Sequence, residues 1–273
     1  MTTAEIWSSV APAWEKHLNS AARQATEATK NHALLDRLKV QPGERVLELG
    51  AGAGELGLLL ADRVGPQGAV VLTDVAPGMV DILQRRTLGI PQATVAQIDA
   101  ADTGLPAASF DAVVFCMGLM FTDDPVVATA EIRRLVRPGG RVGIETWAAP
   151  EHNPWLLCVG MAAMMNGLVS GGPPTAPGGV FSLGEATQLR DVVAAGRFDD
   201  VDVVPTDVEF RFPDVDAYFD TVSSMAGPLA VALAAASPEQ LQAVRATVAT
   251  LSEQYATPDG LVLPGRALVA IAS

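Results

Sequence analysis

The sequence predicts an α/β fold in which a mostly parallel sheet lies between two layers of helices. Short apolar runs of strand length alternate with segments of helical periodicity through the first half of the chain, and such alternation is typical of a parallel sheet with crossover helices. The runs predicted as strands are residues 45–49, 69–73, 94–98, 112–116 and 141–146. The segments predicted as helices between them are residues 54–64, 77–87 and 125–136.

The chain divides into four predicted parts. Leu34, Leu35 and Leu38 recur at helical spacing before a Pro-Gly pair stops the pattern, which predicts a helical N-terminal arm. The parts are the arm at 1–40, a ligand-binding core at 41–147, a lid insertion at 148–181, and the remainder of the core with two extra helices at 182–273. In the last part, helices are expected at 182–195, 214–225 and 238–255, and strands at 201–212 and near 268–271.

Composition and charge restrict the classes of partner. A chain of 273 residues can bury one full core. Its 31 acidic residues outnumber the 18 basic ones and give a formal net charge of -13, which repels phosphate backbones and anionic membranes. The two cysteines lie in apolar stretches and suit a reducing compartment. We therefore expect a cytoplasmic monomer or homodimer that acts on a small-molecule substrate, with no nucleic-acid partner and no insertion into a membrane.

A glycine-rich turn follows the first predicted strand. Residues 46–49 are Val-Leu-Glu-Leu, and Gly50, Gly52 and Gly54 then occupy every second position before the next predicted helix. Glycines here let the backbone turn sharply and approach a ligand closely at the positive end of a helix. The turn therefore predicts a ligand site, although several nucleotide-binding folds share this feature.

A dinucleotide site is the second interpretation of this turn, because Gly52, Gly54 and Gly57 have the spacing G-x-G-x-x-G. In that motif the first glycine directly follows the strand, and in the corresponding frame the third glycine position here is Glu55. Glu48 at the strand end would also repel a pyrophosphate, whereas it suits a ligand that carries an ammonium group. Both observations disfavour NAD(P).

Further motifs follow in order along the chain. They are Val-Val-Leu-Thr-Asp at 70–74, Gln-Ile-Asp-Ala at 97–100, Gly-Leu-Pro at 104–106, Ser-Phe-Asp at 109–111, the fourth strand with its continuation at 112–118, and Leu-Val-Arg-Pro-Gly-Gly-Arg at 135–141. On these motifs and the glycine-rich turn, residues 41–147 resemble the class I, Rossmann-like S-adenosylmethionine-dependent methyltransferases, particularly the ubiquinone/menaquinone C-methyltransferase-like group of small-molecule enzymes. The resemblance implies a three-layer Rossmann-like sheet and S-adenosylmethionine as the cofactor.

The resemblance also implies which residues contact the cofactor. The run from Glu48 to Gly54 would hold the methionine part, Asp74 would accept both ribose hydroxyls, and Asp99 would accept the adenine amino hydrogen. The complete implied set is Glu48, Gly50, Gly52, Gly54, Asp74, Val75, Met79, Asp99, Ala100, Cys116, Met117 and Trp14. A solvated strand end, a turn acid or ordinary core and helix packing is the alternative for single members of this set.

Methyl transfer from a sulfonium needs alignment more than activation. The methyl carbon is already electrophilic, and orientation of two bound reactants can supply on the order of 7 to 11 kcal/mol. A general base is useful where the acceptor is a hydroxyl or an acidic carbon, and the candidates are Glu145 near the end of the fifth strand and His152 at the start of the lid. A framework role for Glu145 and a surface role for His152 are the alternatives.

No metal site is expected. No pair of histidines has the spacing of metal ligands. The metal-dependent catechol-type enzymes of this superfamily carry an acid at the end of the fourth strand, where this chain has Cys116 and Met117. The expected reaction is therefore independent of metal.

The predicted lid indicates the class of acceptor. Its side chains Trp155, Leu156, Met161, Met164 and Met165 form a soft apolar set. If they line the pocket, the acceptor is small and mainly apolar: a quinone, polyketide, terpenoid or other secondary metabolite, methylated on carbon or oxygen. Packing of the lid onto the sheet is the alternative for the methionines.

Two other function classes share such a fold. An NAD(P)-dependent reductase usually has a Tyr-x-x-x-Lys pair, but Val222 stands four residues after Tyr218, and Asp259 stands four residues after Tyr255. A non-catalytic scaffold that keeps the cofactor site is not separated from an enzyme at this stage, because fold-level resemblance does not establish chemistry.

Overall fold

The computed structural model describes residues 1–171 and 174–273, apart from the side chains of residues 21–25 and 28. Its strands are β1 (Arg45–Leu49), β2 (Ala69–Asp74), β3 (Ala93–Gln97), β4 (Phe110–Cys116), β5 (Val136–Trp147), β6 (Asp202–Phe212), β7 (Ala256–Thr257) and β8 (Gly260–Ala272). Its helices are α1 (Thr3–His17), α2 (Ala21–Leu38), α3 (Glu55–Val64), α4 (Pro77–Arg86), α5 (Pro125–Leu135), α6 (Pro154–Met165), α7 (Ala186–Ala195), α8 (Val215–Met225), α9 (Pro228–Ala234) and α10 (Pro238–Ser252).

All of these strands belong to one sheet with the order β3-β2-β1-β4-β5-β8-β6, and β7 pairs with β8. Strands β1 to β5 are parallel, while β8 runs antiparallel to both of its neighbours. The strand order reverses between β1 and β4, and in open α/β sheets ligands bind outside the carboxyl ends of the strands at such a point. The glycine-rich turn follows β1 at this position.

Helices cover both faces of the sheet. Val113 packs with buried side chains of α5, α6 and α7, while the next residue, Val114, packs with those of α2 and α3. Successive side chains of a strand point to opposite faces, so both faces of β4 are buried. The observed three layers confirm the predicted fold class.

The predicted strands and helices of the core are confirmed with small shifts at their ends. Strand β1 has the predicted bounds, and helix α5 begins as predicted, because Asp124 caps it by accepting hydrogen bonds from the backbone amides of Val126 (2.9 Å) and Val127 (3.1 Å). Strand β5 begins at Val136, earlier than predicted, because Val136 pairs with Phe110 ahead of a register shift.

The C-terminal part departs further from the predictions. Helix α7 begins at Ala186 rather than at residue 182, and helix α9 was not predicted. Strand β8 is much longer than the expected 268–271, because it pairs along its length with β6 and then with β5. The division of the chain into four parts stays a prediction, and Gly172 and Pro173 of the expected lid lie outside the described residues.

The N-terminal arm packs against the edge of the core through a small apolar cluster. Val10 and Ala11 of α1 pack against Met79 and Ile82 of α4. The helices approach closely at Gly78, where an added Cβ would lie 3.1 Å from the Ala11 Cβ. This contact places α1 over the carboxyl ends of the strands. Among the described residues, no helix is both long enough and apolar enough to cross a membrane.

Candidate active site

A cavity of about 1290 Å³ opens at the carboxyl ends of the central parallel strands. Its wall includes residues of α1, α2, α6 and α8 and of the turns that follow β1, β2 and β4. Pockets for a single small ligand usually measure roughly 300 to 1,000 Å³, so this cavity has room for two reactants.

The three glycines of the turn adopt left-handed backbone conformations. Their φ values are 59° at Gly50, 55° at Gly52 and 84° at Gly54. An added Cβ at Gly50 would lie 2.9 Å from the Phe115 ring, and one at Gly54 would lie 2.7 Å from Leu83, so both glycines are required for packing. A Cβ at Gly52 would meet nothing within 4 Å. Gly50 and Gly52 line the cavity, whereas Gly54 shapes the turn behind it.

Gly57, the third member of the dinucleotide-like spacing, has a packing role. It is buried within α3, where an added Cβ would lie 2.6 Å from Leu72 and 2.7 Å from Oε2 of Glu48. The glycine therefore makes room for the Glu48 carboxyl group. This close approach explains the G-x-G-x-x-G spacing without a dinucleotide.

Asp74, at the end of β2, holds the glycine-rich turn in place. Its Oδ2 accepts a hydrogen bond from the Gly52 amide and its Oδ1 accepts one from the Ala76 amide, each at 2.9 Å. Burial raises the pKa of Asp74, although these amides act in the opposite direction. Asp74 lines the cavity beside Val75 and Met79, and a carboxylate oxygen can accept more than one hydrogen bond. It can therefore bind hydroxyl groups of a ligand.

Glu48 gives this end of the cavity a buried carboxyl group with one unpartnered oxygen. Its side chain is buried and lines the cavity, and within the described part of the chain its Oε2 has no hydrogen-bond partner. Burial, followed by the charges of Glu55 and Asp74, raises the pKa of Glu48 well above its ordinary value. A buried carboxyl group without a partner is costly, and an ammonium group on a ligand would satisfy it. These residues therefore fit a cofactor with an amino group.

Asp99 and Ala100 lie on the loop after β3 and also line the cavity. Oδ1 of Asp99 accepts a hydrogen bond from the Ala101 amide at 2.8 Å, which fixes the loop. The structure thus brings together every implied cofactor residue at the cavity wall except Gly54.

Cys116 and Met117, at the end of β4, line the cavity between its two ends. The Met117 backbone is left-handed, with a φ of 55°, and its amide donates a hydrogen bond to the Glu145 carbonyl at 2.8 Å. The Cys116 Sγ lies 3.0 Å from Oε2 of Glu145. Burial and then the charge of Glu145 raise the pKa of Cys116 well above its ordinary value, so this thiol stays protonated near neutral pH.

Neither residue predicted as a general base lines the cavity. Glu145 is fully buried behind Cys116, where an acceptor cannot touch it, and burial raises its pKa against the opposing charge of Lys30. His152 is exposed in the short 3-10 turn Pro150–His152. Strand β5 carries Glu145 beneath the cavity wall and His152 is on the protein surface, so a role as general base stays a prediction for both residues.

The N-terminal arm closes the cavity above the glycine-rich turn. The Trp7 and Trp14 rings meet edge to face at 6.0 Å, and Trp7 packs in the same way on Phe121 at 5.1 Å. The indole Nε1 of Trp14 donates a hydrogen bond to the Met225 carbonyl at 3.0 Å, which links α1 to α8. Both tryptophans line the cavity.

An aromatic wall forms the opposite end. Trp155 of α6 stacks on Phe210 of β6 with 4.2 Å between ring centroids, and Trp147 lies 5.0 Å from Trp155. The predicted lid residues Leu156, Met161 and Met164 also line this end. Met165 does not, and it is 64% exposed.

Sequence reasoning missed four polar residues of α2 that line the cavity: Thr26, Glu27, Lys30 and Asn31. Lys30 lies one helical turn before Leu34 and two turns before Leu38, so the three residues share the buried stripe of α2. The sequence signal that could have identified Lys30 is its position on this stripe, where a charged residue continues a row of apolar ones. No group of three or more potential metal ligands occurs among the residues that the structure describes.

Comparisons with known proteins agree with this geometry. A methyltransferase domain family matches residues 46–140. The nocamycin O-methyltransferase of Saccharothrix syringae is 32% identical over 195 residues, which cover 67% of this chain and 69% of that protein. A ubiquinone/menaquinone biosynthesis C-methyltransferase of Xanthomonas oryzae is 35% identical over 109 residues, covering 39% of this chain and 43% of that protein.

A solved structure of similar fold is the SAM-dependent methyltransferase from Aquifex aeolicus. Its TM-score is 0.54 at 21% identity, and the match covers 71% of this chain and 92% of that one. The sheet order, the cavity beside the glycine-rich turn and the extent of the relationship to the Saccharothrix protein lead to one conclusion. The chain belongs to the class I S-adenosylmethionine-dependent methyltransferases, and S-adenosylmethionine is its cofactor.

Proposed function

We propose that the protein transfers a methyl group from S-adenosylmethionine to a small, mainly apolar acceptor such as a quinone, polyketide, terpenoid or other secondary metabolite, without a metal. The single observation that carries this proposal is the two-ended cavity, with carboxyl groups at one end and an aromatic and methionine wall at the other. The acidic end fits the cofactor, and the apolar end fits the acceptor.

At the acidic end, Asp74 is proposed to bind the ribose hydroxyls and Glu48 the amino group, beside the backbone of Gly50 and Gly52. The support is the buried, unpartnered Oε2 of Glu48 and the position of Asp74 in the cavity wall. Val75, Met79, Asp99 and Ala100 complete the adenosine side, Cys116 and Met117 flank the reacting centre, and Trp14 covers it. When bound, the cofactor supplies an electrophilic methyl group on a positively charged sulfur.

The residues of this chain would then align the acceptor and exclude water. Trp155, Phe210 and Trp147 offer flat faces against which a planar ring can stack, with a sulfur-rich side formed by Met161 and Met164. Alignment of two bound reactants supplies on the order of 7 to 11 kcal/mol, which permits catalysis without Glu145 or His152 as a base.

The names of the relatives support a small-molecule acceptor. One is named for nocamycin and oxygen methylation, and the other for ubiquinone, menaquinone and carbon methylation. The two relatives thus differ in the atom that they methylate.

Release of S-adenosylhomocysteine tests the proposal. The protein is incubated with S-adenosylmethionine and two panels of acceptors: aromatic polyketides and quinols in one, and polar amines, amino acids and nucleosides in the other. We expect product with members of the apolar panel only. Release with the polar panel alone would contradict an apolar acceptor site, and binding of the cofactor without release in either panel would indicate a scaffold.

A further inference from the structure

Glu27, Lys30 and Asn31 of α2 form a polar corner in the wall of the cavity, beside the Trp147 ring. These residues stand at positions i, i+3 and i+4 of the helix and therefore share one face. Lys30 and Asn31 are only 4% and 2% exposed, yet all three line the cavity. Fully buried lysines are rare unless they are paired, so this corner requires an explanation.

The partners of the corner leave hydrogen-bonding capacity unused. The Lys30 ammonium lies 3.1 Å from Oε2 of Glu27 and 5.3 Å from the centre of the Trp147 ring. An ammonium group has three donors, and Glu27 is its one carboxylate partner among the ion pairs of the described residues. Oδ1 of Asn31 is buried with no hydrogen-bond partner in the described part of the structure. The corner therefore offers free donors and a free acceptor side by side.

The corner adjoins the proposed reacting centre. The Lys30 ammonium lies 5.3 Å from the centre of the Trp147 ring, and Trp147 is two residues from Glu145 on the same face of β5. Because Oε2 of Glu145 lies 3.0 Å from the Cys116 Sγ, the corner and Cys116 lie close together. Cys116 also stands in the cavity wall, at the position proposed to flank the sulfonium. An acceptor atom bound at the corner is thus next to the methyl group to be transferred.

We propose that the polar corner binds the hydroxyl group of a phenol or enol acceptor and that this oxygen is the methylated atom. This assignment rests on the proposed function and narrows it to oxygen methylation. Glu27 accepts the hydroxyl proton, Lys30 donates a hydrogen bond to the oxygen, and Asn31 offers a second acceptor.

A hydroxyl group matches both kinds of partner. It donates one hydrogen bond and accepts others, whereas an ether only accepts. A carboxylate would accept from Lys30 but would be repelled by Glu27. An ammonium group would only donate and would be repelled by Lys30. The Glu27–Lys30 pair has no net charge, which also favours a neutral acceptor.

The proposed step balances in atoms and electrons. The acceptor oxygen forms a bond to the methyl carbon as the bond between that carbon and sulfur breaks, and the electron pair of the broken bond stays on sulfur as a neutral thioether. The hydroxyl proton passes to Glu27 and then to water when the product leaves. The Lys30 ammonium stabilises the negative charge that develops on the oxygen as its proton moves to Glu27, and this charge is lost as the bond to the methyl carbon forms.

Four probes that share one ring test the assignment: naphthol, methoxynaphthalene, naphthoic acid and naphthylmethylamine, whose amino group is cationic at neutral pH, all substituted at the same position. Binding of each probe is measured by calorimetry on the complex with S-adenosylhomocysteine. We expect naphthol to bind about tenfold or more tightly than the other three, because a hydrogen bond to a charged group is involved. In Lys30→Met we expect naphthol to lose this preference while methoxynaphthalene binds as before.

Two further variants keep the result interpretable. Arg37→Met removes a cation from the same helix outside the cavity, where it pairs with Asp202 at 2.6 Å, and it should retain the preference. Glu27→Gln preserves the shape of the side chain and should slow methylation of naphthol more than it weakens binding of S-adenosylhomocysteine.

The outcomes separate the two proposals. Equal binding of naphthol and methoxynaphthalene, a preference for the acid or the amine, or an unchanged preference in both Lys30→Met and Glu27→Gln overturns the hydroxyl assignment and leaves the apolar site standing. Failure of all four probes to bind a protein that holds S-adenosylhomocysteine overturns the apolar site and this assignment with it.

Discussion

Substitution of Gly52 by alanine separates the ligand role of the glycine-rich turn from its folding role. Gly52 has a φ of 55°, lines the cavity, and has no atom within 4 Å of an added Cβ. A methyl group at this position therefore meets no protein atom within 4 Å and projects into space that we assign to the cofactor. The Gly52 amide also donates to Asp74, so displacement of the turn would disturb the proposed ribose site.

The structure sets the expected magnitudes. A residue other than glycine in the left-handed region costs roughly 1 to 2 kcal/mol in folding free energy. Gly43 is a matched control, because its φ is 86°, an added Cβ there also meets nothing within 4 Å, and it lies outside the cavity. We expect Gly52→Ala and Gly43→Ala to lose similar stability. We expect only Gly52→Ala to lose affinity for S-adenosylhomocysteine, by about tenfold or more, which corresponds to roughly 1.4 kcal/mol.

Denaturant unfolding gives the stability of each variant, and titration calorimetry gives the affinity. Equal affinity in wild-type protein and Gly52→Ala, with the expected loss of stability, would refute the assignment of this turn to the cofactor. A similar loss of affinity in Gly43→Ala would show that the effect is transmitted through stability.

Three further predictions concern single side chains. Because burial raises the pKa of Glu48, its ionised form destabilises the fold, and the stability of the cofactor-free protein should fall as pH rises above the ordinary value of 4.5. Glu48→Gln should reduce this fall, melt at a higher temperature at neutral pH and bind S-adenosylhomocysteine more weakly; a lower melting temperature with unchanged affinity would contradict this. Asp124→Ala should lose about 1 kcal/mol in denaturant unfolding through its two capping hydrogen bonds, with Asp123→Ala as the control, and equal stability of the two variants would count against the cap. His152→Ala should leave the rate of S-adenosylhomocysteine release unchanged in the presence of an acceptor that the wild-type protein methylates. A tenfold decrease in this rate would indicate that His152 takes part in the reaction.

Most of the correct predictions of the fold and the site depend on residues that are close together in the sequence. The strand that runs into Gly50, Gly52 and Gly54 specifies its own turn through local φ requirements, and Asp124 before a proline specifies a helix start. Asp74 was placed at a strand end by the apolar run before it. These features depend on a few neighbouring residues, so the sequence displays them directly.

The features that were not predicted depend on contacts between residues far apart in the sequence. Strand β8 is specified by its pairing with β6 and β5, which no local pattern displays. The burial of Glu145 depends on its position behind Cys116, 29 residues away in the chain. Lys30 reaches the cavity because α2 packs on β5 and β6. Helical periodicity indicates that one side of α2 is buried, but it does not indicate which part of the protein that side contacts. The chemistry at these positions could therefore be assigned only from the structure.

The central claim is that the turn after β1, with Glu48 and Asp74 beside it, accepts a sulfonium nucleoside with an amino group and no pyrophosphate. Titration calorimetry of the wild-type protein with S-adenosylmethionine, S-adenosylhomocysteine and NADH tests this claim most directly. We expect binding of the first two ligands and none of NADH. Tight binding of NADH without binding of either sulfur compound would contradict it.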